Sequence, residues 1–137
     1  MPPPGPPTNW SSSSPAPPAG PDLHGLAVVL VGGHPALRRL VRVDLAAAGV
    51  ADLRELPPAW EAHRPARAVR DLLAGADLAV LVWRQLGHST AELVQQAAAR
   101  LGVPVVRART AGAGAVREAV EAFAARAGAA GRWPRPE

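Results

Sequence analysis

The chain has 137 residues, room for one domain, and its apolar content of 48% suffices for a core, but aromatics are only 4%, so that core must be built from Ala, Val and Leu. All 15 basic residues are arginines, set against 11 acids, and the net charge of +4 supports weak attraction to anions or nucleic acid and no more. The absence of cysteine excludes disulfides, thiolate catalysis and cysteine-ligated zinc together.

Residues 1–21 contain nine of the sixteen prolines, a serine run at 11–14 and Trp10 as the one aromatic. Such a segment cannot bury enough apolar surface to offset the entropy of ordering it, so residues 1–22 are expected to be a disordered tail. Its other reading is a polyproline ligand for a partner. Met1 is followed by prolines rather than by a charged segment and an apolar core, and no apolar run approaches the roughly 20 residues of a membrane span. A soluble cytoplasmic protein with no membrane partner is expected. The folded part is read as residues 23–128, with a frayed tail at 129–137.

Residues 26–31 are apolar without alternation, as in a strand buried on both faces. Gly32-Gly33-His34-Pro35 then turns the chain into a helix. Pro35 suits the first helical position, where its missing N–H has no partner to lose. His34 falls at the N-cap, a position at which Ser, Thr, Asp or Asn is better by about 1 kcal/mol. The helix is expected to bury Leu37, Leu40, Val41, Leu45 and Ala48, to turn Arg38, Arg39 and Arg42 away, and to end at Gly49. Three arginines near a helix N-terminus oppose its dipole, at roughly 0.3–1 kcal/mol each, unless an anion lies nearby.

Residues 52–56 alternate and stop at Pro57-Pro58, which predicts a short edge strand. A second helix runs from near Pro65 to Ala74, burying Val69, Leu72 and Leu73. Residues 78–83 are the second continuously apolar run and the other central strand. Ser89-Thr90-Ala91-Glu92 reads as a capping box with Ser89 at the N-cap, opening a helix that buries Leu93, Val94, Ala97, Ala98 and Leu101. Residues 103–108 form the fourth strand, which Pro104 assigns to an edge because proline cannot donate to a ladder. A last helix from Ala113 turns Val116, Val120 and Phe123 inward and spaces Arg117 and Glu121 as an i,i+4 pair.

Four strands alternating with four helices require right-handed crossovers and a parallel sheet. With the two continuously apolar strands central, the fold is α/β, a small doubly wound parallel four-stranded sheet of order 2-1-3-4 with helices on both faces. Ligands of such sheets bind beyond the carboxyl ends of the strands where the winding reverses, here between strands one and three. The sequence assigns to that crevice Gly32, Gly33 and His34 from the first turn and Arg84, Gly87, His88 and Ser89 from the third. The fourth turn adds Arg107, Arg109 and Thr110, with Gly112 and Gly114 beyond them. Helix N-termini and arginines together favour an anion such as a phosphate or carboxylate. Neither the Walker lysine nor the full dinucleotide fingerprint is present.

Three readings stand side by side: a module binding a small anionic ligand, a docking or homodimerisation module, and a site in which His34 and His88 share a divalent metal or act as an acid and base pair. Two histidines make an incomplete zinc site, which a dimer or a bound anion would have to complete. Each residue also has a plainer role, the glycines as turn formers, Ser89 as a cap, Trp83 as core or cleft wall, and Arg107 and Arg109 as a solvated basic edge.

From residue 26 to about 124 the chain resembles a bacterial family catalogued only as a numbered domain of unknown function. The likeness rests on Gly32-Gly33-His34 after the first strand, Gly87-His88-Ser89 after the third and Gly102-Val103-Pro104 leading into the fourth. Gly87 stands where that family carries a serine. The resemblance implies a Rossmann-like or flavodoxin-like domain, gives weight to the two histidines and implies no particular activity. Residues 28–49 are also similar to response-regulator receivers, but the acid pair, the phosphorylated aspartate and the lysine of that family are replaced by Gly32-Gly33, Trp83 and no lysine at all. That likeness implies a receiver-like interaction module without the usual phosphorylation.

Overall fold

Strand β1, Ala27–Val31, is buried along its whole length, as an uninterrupted apolar run between two flanking strands must be. The computed structural model describes residues 22–57, 65–82 and 88–131, and of His88 and Ser89 the backbone only. In chain order β1 is followed by α1 (Pro35–Ala47), β2 (Asp52–Leu56), α2 (Ala66–Leu73), β3 (Leu78–Leu81), α3 (His88–Leu101), β4 (Val105–Arg107) and α4 (Ala113–Ala129). The sheet has order β2-β1-β3-β4 and every pair in it is parallel. Val28 stands opposite Leu53 on one side and Leu78 on the other. The expected doubly wound α/β arrangement is therefore the one observed.

Alternate side chains of the central strands feed two separate cores. Val28, Leu30, Leu78 and Val80 pack beneath α1 and α4, against Leu37, Val41, Leu45, Val116 and Val120. Val29, Val31, Ala79 and Leu81 pack beneath α2 and α3, against Val69, Leu73, Val94 and Ala98. A fully buried leucine or valine contributes about 1.5–3 kcal/mol relative to exposure. The two layers thus make the sheet the common wall of both cores.

Polar side chains fix how the layers meet. Asp77 holds both backbone groups of Ala27, its N–H donating to the Ala27 carbonyl at 2.8 Å and its Oδ2 accepting from the Ala27 N–H at 2.9 Å, which pins β3 beside β1. Arg54 of β2 donates to the carbonyls of Leu72 (2.8 Å) and Ala74 (2.7 Å), supplying partners to the C-terminal end of α2 that the helix itself lacks. Arg117 of α4 donates to Asp44 of α1 at 2.6 Å and to Glu121 at 3.1 Å, the i,i+4 pair expected from the sequence. Asp44 first, then Glu121, holds the Arg117 guanidinium above its ordinary value.

Several local expectations are corrected. Arg38 is buried, with 7% of its surface exposed, whereas Leu40 is 62% exposed, because the inner face of α1 is turned toward β2, where Arg38 finds an acid. Leu101, in the last turn of α3, is exposed. Helix α3 already begins at His88, so Ser89 is its second residue and cannot be the N-cap, which needs non-helical backbone. Strand β4 is shorter than expected, and Pro104 precedes it, accepting the Ala79 N–H at 2.9 Å through the one ladder group a proline has. Trp83 lies outside the described residues, and no described helix is long and apolar enough to cross a membrane.

The two leucines separate the faces of the fold experimentally. Leu30→Ala, in the doubly covered centre, is expected to lower the unfolding free energy by about 2–5 kcal/mol, and Leu40→Ala to change it by no more than about 0.5 kcal/mol, both measured by urea denaturation.

Candidate functional site

The winding reverses between β1 and β3, and the chain leaves β1 there through two consecutive glycines in the left-handed region, Gly32 at φ +86° and Gly33 at φ +91°. An L side chain in that conformation costs about 1–2 kcal/mol. The Gly32 N–H donates to the Leu56 carbonyl at 2.9 Å, carrying the β1–β2 ladder one residue beyond the strand. A Cβ on Gly33 would stand 2.8 Å from Leu37 Cδ2 and 3.8 Å from Val82 Cγ2. The glycines therefore let the turn close tightly over the core and bring the start of α1 back against the end of β1.

His34 follows with extended backbone, φ −71° and ψ 157°, at the N-cap. Its carbonyl accepts the Arg38 N–H at 3.0 Å and so begins the helix, but its imidazole is exposed and makes no capping hydrogen bond. Pro35 occupies the first turn, which carries no acidic side chain. A residue well suited to capping is absent where a cap is needed, and the exposed imidazole stands there instead.

The arginines behind this turn have a different role from the one their composition suggests. Arg38 donates from Nη1 to the Gly33 carbonyl and from Nε to Glu55 Oε1 at 3.2 Å, tying the glycine turn to β2. Arg42, one helical turn on, reaches the other oxygen of the same carboxylate. The anion that compensates the basic start of α1 is thus Glu55 for two of its three arginines. Residue type alone does not assign Arg38 or Glu55 to the site, but spacing does carry a signal: arginines four apart on α1 share a helix face, and alternation along β2 puts Glu55 on the α1 side with Leu53.

The remaining residues assigned to the crevice divide. Arg107 ends β4 and is exposed. Arg109 pairs at 3.4 Å with Glu118 of α4, and Thr110 accepts the N–H of Gly112, the α4 N-cap residue, at 3.3 Å. Arg107 and Arg109 line a groove of about 220 Å³ between β4 and α4 whose walls include neither Gly32, Gly33 nor His34. Arg84 and Gly87 lie outside the described residues, as do the side chains of His88 and Ser89, whose backbone opens α3. The shared metal read from His34 and His88 rests on one of those side chains; among the described residues no group of three or more metal-ligating side chains gathers.

Comparison of the chain with protein-family models, with curated proteins and with solved structures returns no match.

Two substitutions test that geometry. Gly33→Ala is expected to destabilise the fold by at least about 1–2 kcal/mol through its backbone conformation. Arg38→Ala should cost about 1.5–3 kcal/mol by removing charge-assisted hydrogen bonds from Glu55 and the Gly33 carbonyl. Urea denaturation measures both; a loss below about 0.5 kcal/mol for Gly33→Ala would contradict the backbone constraint, and one that small for Arg38→Ala would contradict the tie between turn and strand.

Proposed function

We propose that this domain is a binding module that holds a small anionic ligand, a phosphorylated one in particular, at the carboxyl ends of β1 and β3. The observation that carries this reading is the start of α1: an uncapped helix N-terminus, free of acidic side chains in its first turn, opening off a left-handed glycine turn at the reversal of the sheet. The first N–H groups of a helix have no partners within it, and the helix dipole makes that end positive. A phosphate oxygen is a suitable acceptor for such groups.

Helix α3 opens at the end of the neighbouring strand, so a second positive helix end is directed to the same side of the sheet. His34 is the exposed side chain at the α1 end, able to donate to an anion and most strongly when protonated. Because Arg38 and Arg42 are engaged by Glu55, recognition depends on backbone amides and His34 rather than on a cluster of guanidinium groups. His34 and His88 fall at the starts of these same two helices, which supports a common role for them.

A thermal-shift series with inorganic phosphate, nucleotides and sugar phosphates tests the proposal. A ligand at about ten times its dissociation constant adds about 1.4 kcal/mol, which for a domain of this size raises Tm by roughly 5–10 °C. His34→Ala should reduce the shift. No shift with any of these anions at about 10 mM, or an equal shift with sodium chloride at matched ionic strength, would overturn it.

A further inference from the structure

Helix α1 carries a second apolar stripe that its own domain leaves uncovered. Ala36, Leu40, Val43 and Ala47 are all exposed, Leu40 at 62% and Val43 at 69%, while Leu37, Val41 and Leu45 supply the inner face. Their spacing of four, three and four residues is that of a heptad seam, with Ala36 and Val43 in the d positions and Leu40 and Ala47 in the a positions. Arg39 then occupies a g position on one flank and Asp44 an e position on the other.

We infer that α1 packs in parallel against α1 of a second copy of this chain, with Leu40 and Val43 in the seam and Arg39 of each protomer facing the partner subunit's Asp44. In a parallel pair a g residue meets the e residue five positions later on the other helix, which is the separation of Arg39 and Asp44. An antiparallel pair would instead set arginine on the same flank as arginine and aspartate on the same flank as aspartate. Charge therefore selects both the occupant and its direction. Among the described residues Arg39 has no ion-pair partner within its own chain, unlike Arg38 and Arg42 on the same helix. Arg117 takes one carboxylate oxygen of Asp44, and the other can accept from the incoming arginine.

A four-residue seam on a helix of 13 residues, about 20 Å long, is at the small end of specific interfaces, so the association is reversible and concentration-dependent. Parallel pairing sets both α1 N-termini, each with its His34, at the same end of the dimer. The inference does not depend on the ligand proposed above.

Sedimentation velocity of the full chain, from micromolar concentrations up to about 1 mM, tests it directly. A monomer–dimer equilibrium is expected, with Leu40→Asp raising the dissociation constant at least about tenfold. Leu40 and Arg39 are exposed, and circular dichroism checks that each variant is folded. Arg39→Glu and Asp44→Lys should each be monomeric alone, whereas an equimolar mixture should dimerise because the exchanged charges again oppose. A wild type monomeric at about 1 mM, a dimer indifferent to Leu40→Asp, or a mixture no more associated than its components would overturn the inference.

Discussion

Strand β1 has no face toward water, and the rest of the structure follows from covering it. Its five residues send alternate side chains into two cores, so helices are required above and below the sheet, and its ladder bonds require a strand on either side. Right-handed crossovers then leave few arrangements, and they place the reversal of the winding beside the end of β1. The location of the candidate site is thus a consequence of how the central strand is buried.

Charge around that site is organised by a carboxylate of the protein itself. Glu55 engages Arg38 and Arg42, and Arg38 also holds the Gly33 carbonyl, so the glycine turn, α1 and β2 are joined through one guanidinium. Burying an arginine is tolerable only with such partners, and the arrangement leaves the N-terminal amides of α1 as the site's own contribution of positive potential.

Helix α1 consequently has three distinct faces on one short cylinder. Leu37, Val41 and Leu45 fill the core, Arg38 and Arg42 lock β2, and the outer stripe of Leu40 and Val43 is exposed. A single amphipathic stripe would need only one apolar arc, and the excess of apolar residues on α1 is what distinguishes it from a helix that merely covers a sheet.

The amino-acid sequence determined the fold class, the strand order, the glycine turn, the position of His34 at the N-cap and the Arg117–Glu121 pair. These depend on periodicity, on proline and glycine stereochemistry, and on separations of a few residues, all of which are local. The tertiary structure alone decided that Arg38 is inside and Leu40 outside. Both residues lie at the margin of the apolar arc, where helical periodicity is nearly indifferent, and the choice was made by Glu55, seventeen residues away along the chain but adjacent in space. The same reason explains Asp77 bonding Ala27 and Arg54 completing α2: their partners lie on other elements, at distances in sequence that only the crossovers of the sheet convert into contacts.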